Sequence, residues 1–302
     1  MTAPRLSVCV IFNPTARGEK AATFRRLLNL LSSECTLRPT IGPGSAQSLA
    51  AEAVRAGFHT IVAAGGDGTL NEVLNGIAEV EDGFTRARLA VLPLGTVNVF
   101  AKELGLPSSL QAAWEVVRAG HERRIDVARA DFVTGAGPAH RYFAQMAGAG
   151  WDARAVELVD WEWKKKVGAF AYVTAGLKAL REPAPRIVVE SDGQRTEGEL
   201  VLIGNGVYYG GRWRVFPKAS LCDGLLEASI FPRVNWSGIL RGSLGLLMGQ
   251  LYSAGGVRHL RGQSIHLTSD PPALFHVEGE KAGRLPATFS VEERKLRVVT
   301  PA

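Results

Sequence analysis

A chain of 302 residues is long enough for two domains of roughly 100 to 200 residues, each with its own core, and 46% hydrophobic with 21% charged residues excludes extended disorder. Thirty-five Lys and Arg against 29 Asp and Glu leave +6, which suits an anionic partner without choosing between a nucleotide, a nucleic acid and an acidic lipid surface. Cys9, Cys35 and Cys222 are odd in number and far apart, with no C-x-x-C pair, which argues against a disulfide framework or a cysteine zinc site and for a reducing cytoplasm.

Met1 to Arg5 runs directly into Leu6–Phe12, too short a hydrophobic run for an export signal. Leu6–Phe12 reads as a buried strand, and Phe24, Leu27, Leu28 and Leu31 then place an apolar stripe on a helix from about Glu19 to Ser33. Thr36–Ile41 is expected as the second strand, Ser45 as the N-cap of a helix carrying Leu49, Ala53 and Val54, and Thr60–Ala64 as the third strand. Leu70, Val73, Leu74 and Ile77 form another helical stripe, Leu89–Pro93 a fourth strand, and Thr96–Leu104 and Leu110–Ala119 further helices. Alternating strands and helices predict a parallel α/β domain over residues 1–124.

From about Arg124 the pattern changes. Runs such as Arg186–Glu190, Glu199–Ile203 and Leu225–Phe231, separated by glycine-rich turns, predict a mainly β sandwich domain over residues 125–302, whose last residues can return to the first domain. Trp161–Leu180 and Ser237–Tyr252 read as helices inserted between strands. The uncharged apolar stretch Gly242–Val257 is shorter than the ~18 to 20 residues that span a bilayer, so any membrane engagement is expected to be peripheral, with Trp236–Tyr252 as the candidate segment.

Gly65-Gly66-Asp67-Gly68-Thr69 lies between a strand and an amphipathic helix. Glycines there let backbone N–H groups approach phosphate oxygens, and the helix start presents its unpaired amides to the same anion. Asp67 is expected in an exposed phosphate loop, where a carboxylate addresses Mg²⁺ or the proton of an attacking hydroxyl. Asn13 to Gly18 and Leu92 to Asn98 leave the carboxyl ends of the first and fourth strands, the edge at which open α/β sheets bind ligands. Gly148-Ala-Gly-Trp-Asp-Ala153 fits a dinucleotide fingerprint, but no acidic residue follows near Gly168–Phe170, so a β-turn is expected. The six histidines are isolated in sequence and read as surface or internally satisfied residues.

At Asn13-Pro-x-x-x-Gly18, Gly65-Gly-Asp-Gly-Thr-Leu-Asn-Glu-Val73 and Pro93-Leu-Gly-Thr-x-Asn98 the chain resembles the diacylglycerol kinase catalytic family, which includes sphingosine kinases and bacterial lipid kinases. Ile125-Asp126-Val127, Gly148 to Asp152, Lys164-Lys-Lys166, Asp223-Gly224 and Glu278-Gly-Glu280 match later family motifs more weakly. The resemblance implies an NAD-kinase- and phosphofructokinase-like parallel α/β nucleotide domain, a β-sandwich domain and ATP-dependent phosphorylation of a lipid hydroxyl. It implies that Asn13, Arg17, Thr40, Gly65 and Gly66 hold ATP. Gly68, Thr69, Glu72, Gly95 and Thr96 complete that set, and Lys166 approaches the phosphates. Asp67 and Asp126 resemble members of the family's aspartate and Mg²⁺ network, Asp223 a structural metal ligand, and Asp152 the acidic contact to the lipid head group. Glu280 resembles the general base of bacterial diacylglycerol kinases, whereas sphingosine kinases place that role where Asp67 stands.

Two departures stand out. Val99 replaces the aspartate that often follows Asn98, and Glu278 replaces the aspartate of the usual Asp-Gly-Glu. Without a functional role, Glu278 and Glu280 would be solvated turn residues between strands Ala273–Val277 and Ala287–Val291. Three functional readings stay open: a lipid kinase, a kinase of a soluble substrate such as NAD kinase, and a catalytically silent lipid- or nucleotide-binding module. The expected partners are ATP, Mg²⁺, a membrane lipid and a membrane surface, with no nucleic acid and with a homodimer left open.

Overall fold

The computed structural model describes residues 7–14, 19–158, 184–211, 213–235 and 256–302. The expected helices Trp161–Leu180 and Ser237–Tyr252, and the sites Arg17 and Lys166, lie outside them. The chain divides into two compact units, Met1–Val127 with Glu293–Ala302 and Ala128–Glu292. The division falls within a strand rather than before it.

In the first unit β1 (Val8–Phe12), β2 (Thr36–Pro39), β3 (Thr60–Gly65) and β4 (Arg88–Pro93) pair in parallel in the order β2-β1-β3-β4. The connections are α1 (Glu19–Glu34), α2 (Ser45–Arg55), and α3 (Asp67–Ala78) with the short α4 (Gly83–Arg86); α5 (Val99–Glu103) and α6 (Leu110–Ala119) follow β4. Strand residues alternate between faces. Val10, Phe12, Val62, Ala64 and Leu92 pack with Phe24 and Leu31 of α1 and Trp114 and Val117 of α6. Cys9, Ile11, Ile61 and Ala63, equally buried, take the other face, on which α2 and α3 lie.

Gly76 lets α2 and α3 approach, because a β-carbon there would overlap the Gln47 carbonyl oxygen. Ser45 begins α2 but does not cap it. Gly44, in the left-handed region, is the N-cap, and the Glu72 carboxylate of α3 accepts the amides of Gly44 (2.8 Å) and Ala46 (3.0 Å). Ser45 Oγ instead accepts the amides of Ile41 and Gly42.

β5 (Glu122–Thr134) leads into the second unit, and the chain returns through β18 (Ala287–Val299), whose Val298 pairs with Leu89 of β4 in parallel. Asp126, fully buried on β5, accepts the amide of Arg294 at 2.8 Å, a residue held at φ 47°.

The second unit is a sandwich of antiparallel strands. One layer uses β7 (Met146–Gly150), β10 (Leu200–Gly204), β13 (Leu226–Phe231), β14 (Arg258–Gly262), β16 (Leu274–Val277) and β17 (Glu280–Arg284), in the order β14-β13-β10-β7-β16-β17. The other carries β6 (Gly137–Phe143), β8 (Ile187–Ser191), β9 (Gln194–Gly198) and β15 (Ser264–Ser269) with β5 and β18. Their inner faces meet through Phe143, Val189, Ile203, Ile230, Phe275 and Phe289, all fully buried, which is the packing expected of facing sheets. A small hairpin, β11 (Tyr208–Tyr209) with β12 (Trp213–Arg214), stands apart from both layers. The expected β-turn at Gly148–Ala153 is a strand-to-helix junction instead: β7 ends at Gly150, φ 81°, and α7 (Trp151–Glu157) begins at once.

Candidate active site

In the first unit four turns leave one sheet edge. Parallel pairing aligns Phe12 with Pro39 and Ala64, and Gly65 with Pro93, so Asn13, Thr40, Gly66 and Leu94 all start from the carboxyl ends of neighbouring strands. Thr40 is tied there by its amide, which donates to the Phe12 carbonyl at 2.8 Å.

The third and fourth turns interlock. The Gly65 carbonyl accepts the amides of Leu94 (3.0 Å) and Gly95 (3.2 Å). A β-carbon on Gly95 would stand 2.6 Å from the Gly66 Cα and 2.7 Å from Asn98 Oδ1, and one on Gly65 would stand 2.5 Å from Thr69. These glycines are therefore required by backbone contact. Asn98, at φ 51°, donates from Nδ2 to the Gly95 carbonyl at 2.6 Å, while its buried Oδ1 has no partner.

Helix α3 begins after the extended Gly66 with no side-chain cap on its first amides. An uncapped start of a twelve-residue helix, beside glycines that keep the approach clear, fits an anion such as a phosphate. Gly68 and Thr69 lie in its first turn, half-buried, and Thr96 is exposed in the neighbouring turn.

Asp67 is half-buried rather than exposed, a correction to the sequence reading. Burial pushes its carboxyl above the usual range, against the backbone amides of Phe100, Val99 and Asn98 and the charge of Lys102, all of which favour the ionised form. It thus holds the start of α5 beside the phosphate loop. Glu72 has a structural task as well: both its oxygens are taken by the start of α2.

The second unit holds a separate cluster around the Glu278 turn. Glu278, at φ 52°, is not a solvated turn residue, because its Oε1 accepts the amides of Ala144 (3.0 Å) and Gln145 (2.7 Å). Glu280 pairs through Oε2 with Arg141 at 2.5 Å. Behind the turn, fully buried His276 joins its Nε2 to Asp152 Oδ2 at 2.5 Å, and Tyr209 donates its hydroxyl to that same oxygen at 2.6 Å. Burial alone would raise the Asp152 carboxyl; His276 and Tyr209 outweigh it and hold the group below its ordinary value. Sequence reading missed His276, whose partner lies 124 residues away.

Among the described residues no group of three or more His, Cys, Asp or Glu forms a metal cage. Asp223, expected as a structural metal ligand, has one oxygen on Arg261 at 2.5 Å and the other on the Leu225 amide at 3.1 Å. Asp126 gives one oxygen to Arg294.

Residues 7–130 match the diacylglycerol kinase catalytic domain, and residues 145–300 match the YegS C-terminal NAD kinase beta sandwich-like domain. A diacylglycerol kinase of Staphylococcus epidermidis is 31% identical over 307 residues, covering 97% of this chain and 91% of that protein. One from Staphylococcus aureus is matched to the same extent. The chain belongs to the diacylglycerol kinase family. The crystal structure of a family member from Bacillus anthracis superposes with a TM-score of 0.74 at 25% identity, covering 99% of this chain and 98% of that one. Yeast NADH kinase, solved with NADH, has a TM-score of 0.57 at 11% identity over 99% of this chain and 84% of that one, a likeness of fold alone.

Membership in this family makes the two departures interpretable. Val99 contributes only its amide, which Asp67 takes. The longer Glu278 side chain reaches back to two backbone amides.

Proposed function

We propose that the protein transfers the γ-phosphoryl group of ATP to a hydroxyl of a membrane lipid, diacylglycerol or a close relative. The observation that carries this reading is the glycine-on-glycine contact of Gly66 with Gly95 beside the uncapped start of α3, in a chain of this family. The α3 amides and the Asn98 turn would bind the phosphates, and the unpartnered Asn98 Oδ1 would accept a hydrogen bond from a bound group. With no protein cage among the described residues, Mg²⁺ fits as an ion carried mainly by the phosphates with Asp67 nearby, as is usual for this cation. When bound it would neutralise charge on the transferring group.

In the second unit Asp152 would hold the head group and Glu280 would serve as base. Glu280 suits that role better than Asp67, whose carboxylate already serves three backbone amides. Arg141 occupies Glu280 Oε2, which leaves Oε1 to take the proton. The lipid O–H bond breaks, its oxygen forms the new bond to the γ-phosphorus, and the bridging bond to the β-phosphate breaks to release ADP. The lipid kinase reading includes peripheral engagement of a cytoplasmic membrane face; no helix of the described residues is long and apolar enough to cross a membrane.

The test is incubation of purified protein with γ-labelled ATP, Mg²⁺ and vesicles of a total lipid extract. The expected result is label in an organic-phase lipid phosphate, reduced on the order of 10²-fold or more in Glu280→Gln. Label transferred only to water-soluble acceptors would overturn the reading, as would ATP binding without transfer to any lipid. Normal turnover by Glu280→Gln together with a dead Asp67→Asn would move the base to Asp67.

A further inference from the structure

The Asp152 and Glu280 positions lie on different elements of the second unit, and one buried side chain touches both neighbourhoods. His276 ends two residues before Glu278, on β16. Its Nε2 meets Asp152 Oδ2 at 2.5 Å, and its Nδ1 accepts the amide of Gly279, the middle residue of the Glu278-Gly-Glu280 turn, at 3.3 Å. A ring nitrogen that accepts an N–H carries no proton, so the neutral imidazole has its hydrogen on Nε2, directed at Asp152. Nothing else fits at this crossing. A β-carbon on Gly148 would stand 2.5 Å from His276 Nε2 and 2.7 Å from Asp152 Oδ2, so the strand beneath the pair must carry glycine.

The turn is fastened independently on its other sides, by Glu278 on the amides of Ala144 and Gln145 and by Arg141 on Glu280. That leaves His276 as the link between the turn and Asp152. We propose that His276 is a positioning residue that orients the head-group carboxylate through Nε2 and the turn bearing the base through Nδ1. This inference rests on the roles given above to Asp152 and Glu280. Oriented ligands of this kind matter because a misplacement of about 1 Å at a reacting group can cost on the order of 10² in rate, and the partner of an imidazole determines which nitrogen bears its proton.

The two nitrogens can be separated by substitution. Asn places its amide oxygen near the position of Nδ1 but cannot reach Asp152, whereas Gln can donate near the position of Nε2 but leaves the Gly279 amide without its acceptor. The expected results are therefore different in kind. His276→Asn raises the KM for vesicle-borne diacylglycerol about 10- to 100-fold with kcat largely kept, and His276→Gln lowers kcat by a similar factor with that KM largely kept. Equal losses of kcat in both variants with KM unchanged would mean a merely structural residue and would overturn the proposal. The independent reading is ¹⁵N NMR of histidine-labelled protein: His276 should show the Nε2–H tautomer, and Asp152→Asn should shift that signal. An Nδ1–H tautomer, or a signal indifferent to Asp152→Asn, overturns the proposal even in an active enzyme. The expected signal in a protein inert toward every lipid would instead overturn the lipid kinase reading, and with it the role of His276.

Discussion

Replacement of Gly95 by Ala is the sharpest perturbation of the nucleotide side. The added β-carbon would stand 2.6 Å from the Gly66 Cα, while carbon atoms settle at about 3.5 Å or more, so the two turns must part by roughly 0.9 Å. Both are backbone, and neither can rotate away. Parting by that amount stretches the Leu94 and Gly95 amides from 3.0 and 3.2 Å to the Gly65 carbonyl beyond hydrogen-bond range. Two such bonds and the strain of a small-to-large change together cost about 1 to 3 kcal/mol. Since the same glycines would keep the phosphates close to the α3 amides, ATP affinity should fall on the order of 10- to 100-fold. Calorimetric titration with a non-hydrolysable ATP analogue measures the affinity, and thermal unfolding the stability. Gly42→Ala is the control, because a β-carbon there meets nothing within 4 Å. A Gly95→Ala protein that binds the analogue as the wild type does, with an unchanged Tm, would refute the interlocked-turn account.

Asp67→Asn should lower lipid phosphorylation on the order of 10² to 10⁴-fold; because the carboxylate also holds the amides of residues 98–100, hydrogen exchange there should accelerate, and unchanged exchange would show that it does not hold α5. Gly76→Ala should destabilise the first unit by about 1 to 3 kcal/mol, since the new carbon would overlap the Gln47 carbonyl; urea unfolding with an unchanged midpoint contradicts this. Burial pushes the Cys9 thiol up to about 11 and Cys35 is buried too, so a thiol reagent at pH 8 should modify Cys222 first, the others following only on unfolding. Asp152 is held below its ordinary value, so the folded state binds fewer protons than the unfolded one in acid; its contribution to stability is present above the unfolded value of about 3.9 and is lost as pH falls through the folded one. Acid unfolding of Asp152→Asn should consequently depend less on pH than that of the wild type, and parallel curves would count against the His276 and Tyr209 contacts.

Sequence by itself determined the elements whose physics is local. Alternating strand and helix patterns are set by side chains a few residues apart, and the observed strands Thr60–Gly65 and Arg88–Pro93 extend the expected ones by a single residue. The glycine turns were legible for the same reason: a strand, a flexible junction and a helix start are neighbours in the chain. Tertiary structure decided which polar groups satisfy which. Ser45 looks like a helix cap, yet Glu72 of the adjacent helix supplies it, from 26 and 28 residues away. Asp67 looks exposed, yet the start of another helix surrounds its carboxylate with amides. Glu278 reads as a solvated turn residue until the backbone 133 and 134 residues earlier is brought beside it, and His276 is one of six unremarkable histidines until β16 pairs with β7 and sets it against Asp152. Many side chains could chemically fill each of these roles. Burial makes an unpaired polar group costly, and only the folded arrangement of strands and helices brings one particular partner within about 3 Å of it.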